Sequence, residues 1–477
     1  PPPPPAALQC PPQPPDNPNS GRRQRQMCIR DRNDVIERTT GKFIWSYDND
    51  HIIYLKKDPI TLIADSVYLH KIGSPSSSDI LLYKENDNEF NLSLSLSRTK
   101  KYIYINIEST NSNEIRLIDT HNPINKPLVF ISRMENHLYY LEHIVEENFF
   151  VRTNLDAPNF KVTKIKSLNN IDLANFDTVI SHSNSTFIND ILFITDNLVL
   201  EIRENGLPEI RIYNLKSNKE FNIEFDDNAY DVSLAYNNEL DGNYFNYYYS
   251  SLTTPLRVLS YDLETSITQE LWSKDIVSFN KNDYVDDRFF IESRDGTQIP
   301  IITIAHKSTN LKEAPILFYG YGSYGINIDA SFRSSLIPLL DRGFIFSIIN
   351  IRGGGEMGKY WYEEGRMLNK LNTFHDFNDG VRAVLSKDIG DSNNVFARGG
   401  SAGGLLMGGI INMEPELYTG ILNGVPFVDV LTTMSDPSIP LTTFEYDEWG
   451  NPENKDEYFY MKPVSYTHLR AHETACY

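Results

Sequence analysis

From about Asn33 to Trp272, apolar and polar residues alternate in short runs broken by Asn, Asp and Ser, with scarcely a helical period anywhere. Alternation of this kind predicts short strands joined by tight turns. One strand type recurs along the region: Val67-Tyr68-Leu69-His70, Ile115-Arg116-Leu117-Ile118, Val162-Thr163-Lys164-Ile165, Ile210-Arg211-Ile212-Tyr213 and Val258-Leu259-Ser260-Tyr261. Successive starts lie 48, 47, 48 and 48 residues apart. Four-stranded units at that interval predict an all-β propeller, incomplete and of about five blades, whereas a large sandwich would not need even spacing.

After about Asp275 strands alternate with helices. Pro315 to Tyr319 reads as a strand entering a Gly/Tyr loop, and Phe344 to Ile351 as a buried strand entering Arg352-Gly353-Gly354-Gly355-Glu356. A helix is predicted through Phe377 to Leu385, then a strand at Asn394-Val395-Phe396-Ala397, a close-packed helix from Leu405 to Ile411 and a strand from Ile421 to Val425. This order predicts a doubly wound sheet whose functional loops follow the strand C-termini. An α/β-hydrolase domain fits it, truncated to about its middle part.

Composition changes the picture chiefly at the two ends. Residues 1 to 18 hold ten prolines and read as a disordered polyproline tract. Arg23 to Arg32 and Val464 to Thr474 resemble translated sequencing-adapter read-through, so both ends are set aside from fold reasoning. The domain reading is then 1–32 foreign, 33–275 partial propeller, 276–463 truncated α/β-hydrolase domain and 464–477 foreign tail. All three cysteines, Cys10, Cys28 and Cys476, fall in the ends. No disulfide framework or cysteine metal site is expected in the core, which fits a reducing, cytoplasmic compartment. No apolar run reaches the length of a membrane span, and a net charge of −20 argues against a nucleic-acid backbone as partner.

The candidate chemistry lies between the last predicted strand–helix pair. Gly399-Gly400-Ser401-Ala402-Gly403 fits the G-x-S-x-G nucleophile elbow, in which a strand turns sharply into a helix and presents the serine Oγ above the sheet. A serine hydroxyl also needs a base to take its proton and an acid to orient that base. Only His468 and His472 follow Ser401, both in the adapter-like tail, while His375 reads as a surface or capping residue. Asp429 follows the next strand, where some hydrolases place an acid. Neither triad partner is assigned. No metal or organic cofactor is expected, since serine acyl transfer requires neither.

Several runs together resemble the prolyl oligopeptidase family of serine peptidases, and within it the oligopeptidase B group. They are Asn246 to Pro255, Tyr319 to Gly325, Arg352 to Gly358, Trp361 to Gly365, Gly399 to Gly404, Val425 to Val430, Ser438 to Leu441 and Glu448 to Pro452. The resemblance implies a serine endopeptidase acting on short basic peptides, with Ser401 as nucleophile and the Ala402 N–H and Tyr321 hydroxyl as oxyanion donors. It implies Glu445 as the acid that meets an Arg or Lys before the scissile bond, with Asp447 a second acid where the family usually has Glu. Asp329 matches an acid of the next basic subsite, but its usual companion is Ser331 here. The family's triad acid and histidine come after later strands, beyond residue 477, so the chain as written is expected to be inactive. Two other readings stay open: a non-catalytic propeller and hydrolase relic that acts as a binding module, and a proline-specific peptidase or esterase of the same fold. Glu445 argues against the latter pair.

Overall fold

The computed structural model describes residues 35–465, apart from Thr61, Asn170 and Pro440. The proline tract, most of the adapter-like stretches, His468 and His472 lie outside the described residues. Twenty strands form five antiparallel four-stranded sheets in chain order, β1–β4 (39–84), β5–β8 (91–131), β9–β12 (139–180), β13–β16 (186–222) and β17–β20 (230–273). The five repeated tetrapeptides lie on β3 (Ala64–Lys71), β7 (Asn113–Asp119), β11 (Lys161–Ile165), β15 (Leu207–Asn214) and β19 (Arg257–Asp262). Each is the third strand of its sheet, so the 48-residue interval is the distance between equivalent strands of successive blades.

Side-chain alternation is what joins one blade to the next. On β6 (Tyr102–Glu108), Ile103, Ile105 and Ile107 pack with Ile53, Leu55, Val67 and Leu69 of the first blade. Tyr102 and Tyr104 point to the opposite face and pack with Tyr139, Phe149 and Val151 of the third. A strand covered on both faces must be apolar at nearly every position, and β6 is: only Asn106 and Glu108 interrupt it. The same division places Phe150 and Val162 against Leu198, Leu200 and Ile202, and Ile210 and Ile212 against Phe245, Tyr247 and Tyr261. Each fully buried Ile or Phe contributes about 2–3 kcal/mol through burial alone.

The second half is a six-stranded sheet of order β21-β22-β24-β23-β25-β26. The strands are β21 (Tyr284–Glu292), β22 (Gln298–His306), β23 (Ile316–Tyr319), β24 (Ile345–Ile349), β25 (Val395–Gly400) and β26 (Gly420–Gly424). The last four are mutually parallel, and β22 runs antiparallel to both β21 and β24. This is the order of an α/β-hydrolase sheet behind a β-propeller. The hairpin of two nine-residue strands, β21–β22, was not predicted, because its outer strand alternates weakly and shows no run of buried residues. Around the sheet lie α1 (Lys359–Glu363), α2 (Lys370–Ser386), α3 (Ala402–Met413), α4 (Val430–Met434), α5 (Tyr446–Trp449) and α6 (Lys455–Val464). Phe374 and Phe377 of α2 and Leu405, Leu406 and Ile410 of α3 pack with Ile301, Phe318, Ile349 and Ala397 in one core. Val464, at the edge of the segment expected to be foreign, closes the same core.

The two halves meet through buried charge as well as apolar surface. Ala229 and Leu252 of the propeller share a cluster with Tyr284, Ile302 and Phe346. Beside it Glu356 is 2% exposed. Its Oε1 accepts from Ile328 N–H at 2.9 Å and Asn350 Nδ2 at 3.0 Å, and among the described residues its Oε2 has no partner. Burial pushes this carboxyl up to about 7, from an ordinary 4.5. Because the folded value lies above the unfolded one, the stabilisation belongs to the protonated form. It is complete below about pH 4.5 and lost as pH rises through about 7, an effect of about 3 kcal/mol. In urea titrations at about pH 5 and about pH 8, Glu356→Gln is therefore expected to reduce the fall in stability by about 2–3 kcal/mol. An undiminished fall in the variant would show that the pH dependence comes from other groups.

Candidate active site

The elbow follows from a close crossing of backbones. Ser401 sits between β25 and α3 with φ 56° and ψ −120°, a left-handed conformation that a side-chain-bearing residue rarely adopts. Its N–H donates to Gly424 O at 3.0 Å and its carbonyl accepts from Phe427 N–H at 3.0 Å, so β26 and the loop after it clamp the residue from both sides. A Cβ on Gly399 would lie 2.1 Å from Gly403 O, and one on Gly404 would lie 2.5 Å from Pro426 Cα. Only hydrogen fits at either place. The Ser401 side chain is exposed at the end of the sheet, and α3 begins at Ala402, whose N–H belongs to the first helical turn and has no intrahelical acceptor.

Tyr321 stands beside the serine. Burial pushes its phenol up, and the Ser401 hydroxyl draws it part of the way back. The Gly/Tyr loop carrying it is tied down by a buried cation that sequence reasoning missed. Lys370, at the start of α2, is 2% exposed and donates to Gly322 O at 2.5 Å and Ser323 Oγ at 2.6 Å. Burial pushes its amine down to about 8, against the pull of Glu448. Glu448 is itself buried, accepting from Tyr324 N–H at 2.9 Å and the Tyr362 hydroxyl at 2.6 Å. The Glu448 to Pro452 run marked its motif without revealing that its acid serves the loop 124 residues earlier.

The acids expected to meet basic side chains fall in three different places. Glu445 is half-buried, and one oxygen accepts from the Tyr324 hydroxyl at 2.8 Å and Trp449 Nε1 at 3.1 Å. Tyr324 and Phe427 both pack on Trp449, with ring centroids 5.7 Å and 5.2 Å away. An aromatic wall therefore surrounds this carboxylate. Asp447 does not join it: its backbone carbonyl accepts from Arg366 Nη1 at 2.5 Å, and its charge acts on Glu89 of the propeller. Asp329 is paired with Arg203 of the propeller, and Ser331 donates to Asp231 at 2.5 Å, so the expected second subsite is engaged by the protein's own residues.

Two other expectations change. His375 is neither a capping nor a surface residue; it lies inside α2, partly buried beside Arg294, Asp379, Asp376 and Arg352. Burial and the neighbouring Arg294 push its imidazole down. Asp429 caps α4, accepting from Thr432 N–H at 3.2 Å, which accounts for its carboxylate without a catalytic role. The other histidine of the described hydrolase half, His306, pairs with Ser308 at 2.7 Å. Among the described residues, no imidazole or carboxylate hydrogen-bonds the Ser401 hydroxyl.

Comparison with known proteins agrees with this geometry. Residues 19–274 match the N-terminal β-propeller domain of prolyl oligopeptidase, and residues 330–475 match the prolyl oligopeptidase family. The chain is 36% identical over 462 residues to dipeptidyl aminopeptidase BI of Pseudoxanthomonas mexicana, covering 94% of this chain and 63% of that protein. It is 34% identical over 427 residues to Protease 2 of Moraxella lacunata, covering 89% and 61%. The solved structure of oligopeptidase B from Leishmania major superposes with a TM-score of 0.86 at 31% identity, covering 91% of this chain and 62% of that one. Oligopeptidase B from Trypanosoma brucei, in a closed form with covalently bound antipain, gives 0.86 at 33% identity over the same shares. The chain thus spans about three-fifths of the length of these relatives. With matches on both sides of the junction, to the propeller and to the sheet behind it, the chain belongs to the prolyl oligopeptidase family.

Proposed function

We propose that the protein is a serine endopeptidase that cleaves short peptides after Arg or Lys through an acyl-enzyme on Ser401. The observation that carries this reading is the Ser401 backbone, held at φ 56° where β25 turns into α3. Strain of that kind persists only where the surroundings over-determine it, and it concentrates at reacting residues. Attack by Oγ on a peptide carbonyl would place negative charge on the carbonyl oxygen. The Ala402 N–H and the Tyr321 hydroxyl are the donors proposed to receive it, and they act most strongly in the tetrahedral state. A base must take the serine proton and return it to the departing amine. The described residues supply no such group, and a non-catalytic binding role is the second reading that this observation favours.

The choice of a basic side chain rests on Glu445. The rings of Tyr324, Trp449 and Phe427 are suited to cover the methylene stem of Arg or Lys while the carboxylate meets its charged end. The peptidase names carried by the matched relatives support the reaction class. Asp447 is left out of the proposed pocket, since among the described residues its carboxylate shares no hydrogen-bond partner with Glu445.

Steady-state hydrolysis of fluorogenic peptides tests both parts, in a form of the protein that also supplies a triad base and acid, since the chain as written is expected to be inactive. Tyr321→Phe is expected to lower kcat by roughly 10² to 10³ with little change in KM, the usual loss for one oxyanion donor. A rise in KM with kcat unchanged would make Tyr321 a binding residue instead. Glu445→Gln is expected to cut kcat/KM for an Arg substrate by about 100-fold, in line with loss of a charge-assisted pair, while a neutral substrate changes little. An equal loss on both substrates would remove Glu445 from specificity. Absence of hydrolysis in a form that supplies a triad base and acid would favour the binding role.

A further inference from the structure

One propeller side chain is buried against the Gly-rich segment of the α/β half and stands at the head of a series of hydrogen bonds. Asn159, 5% exposed, lies between β10 (Asn148–Thr153) and β11, and its backbone carbonyl accepts from Ile188 N–H of β13 (Thr186–Ile194) at 3.0 Å. Its Nδ2 donates to Ser183 O at 3.1 Å and to Asn184 O at 3.0 Å, in the loop that joins the third blade to the fourth. Both amide hydrogens are spent on carbonyls, so Oδ1 has to face the other way. It accepts from Lys359 N–H, the first amide of α1, at 3.0 Å. The approach is so close that a Cβ on Gly358 would lie 2.8 Å from Oδ1, and Gly358 takes φ 95°, where glycine alone is at ease.

From α1 two routes lead to the Gly/Tyr loop. The Tyr362 hydroxyl donates to Glu448 Oε2 at 2.6 Å, and Glu448 Oε1 accepts from Tyr324 N–H at 2.9 Å. Gly353 N–H donates to Trp361 O at 2.9 Å, while Gly353 O accepts from Gly325 N–H at 3.0 Å. Trp361 is fully buried and Tyr362 nearly so, which leaves α1 little room to shift without carrying these contacts along. Among the described residues, no hydrogen bond of residues 321–325 reaches the propeller directly. Tyr321, beside Ser401, begins this loop.

We infer that Asn159 is a positioning residue, through which the docked propeller holds the loop that carries Tyr321. The order of the loop then depends on contact between the two halves: a propeller drawn away from the α/β half frees the first amide of α1 and loosens residues 321–325 with it. Asn159 itself touches neither Ser401 nor a substrate. The inference goes beyond the proposed reaction, since it holds whichever peptide bond is cut.

Hydrogen exchange of the full 477-residue chain, read by mass spectrometry on peptides covering 359–366 and 321–326, tests the link without requiring turnover. Asn159→Ala is expected to speed exchange about fivefold at 359–366, the usual loss for one helix-capping bond, and at least about threefold at 321–326. Asn159→Asp keeps the acceptor and loses the donors, so it is expected to restore slow exchange at both places, with folding of each variant checked by circular dichroism. Tyr362→Phe provides a measure that does not depend on how the Asp variant folds. It cuts one of the two routes, and combined with Asn159→Ala it is expected to speed exchange at 321–326 by less than the product of the separate effects. Faster exchange confined to 359–366, an Asn159→Ala chain with unchanged exchange, a folded Asp variant as fast as the Ala one, or the full product in the double variant overturns the inference.

Discussion

The α/β half is organised by one close approach, the crossing of β25 over the start of α3. Gly399 and Gly403 meet there at a separation that excludes even a methyl group, and Gly404 lies against Pro426. Everything nearby follows from that contact. Chain direction must reverse within a residue, so Ser401 takes the left-handed conformation, and the serine is pushed out at the end of the sheet instead of into it. The first turn of α3 then presents its free N–H groups to the same point, since a helix cannot satisfy them itself.

A strained turn alone does not make a site; the loops around it must be held still. Two buried ionic arrangements do this. Lys370 holds Gly322 and Ser323 while Glu448 holds Tyr324, and both charges sit within the hydrolase core at their own desolvation cost. Arg352, the first residue of the Gly-rich run, grips Asp376 through two bonds of 2.8 Å and 2.6 Å and reaches Asp295 at 2.7 Å, joining three segments that are distant in sequence. Planar, two-point pairing fixes orientation as well as position, which a lone ammonium cannot do. Breaking such a buried pair by removing one partner costs about 3–5 kcal/mol, so these loops move only together with the elements that anchor them.

Much of the fold was legible because its signals are local or periodic. The spacing of Val67, Ile115, Val162, Ile210 and Val258 reported one strand per blade. The elbow was legible because only glycine satisfies its sterics. The acids were not. Glu445, Asp447 and Glu448 lie within four residues, yet one enters an aromatic pocket, one holds Arg366 through its backbone carbonyl and one is buried under the Gly/Tyr loop. Composition could not sort them, since each depends on partners more than 70 residues away.

By itself, then, the sequence determined the blade repeat, the change from propeller to α/β sheet, the elbow and the family, because each rests on short-range periodicity or on a steric demand that one residue type meets. Tertiary structure alone decided which charged groups are available. Asp329 reads as the acid of a basic subsite in the chain and is an ion-pair partner in the fold; Asp429 follows a strand where some hydrolases place an acid and is a helix cap; His375 reads as a surface or capping residue and lies partly buried inside α2. The physical reason is that the state of a carboxylate or imidazole is set by the charges and dielectric within a few ångströms of it, and those neighbours arrive from remote parts of the chain only when it folds.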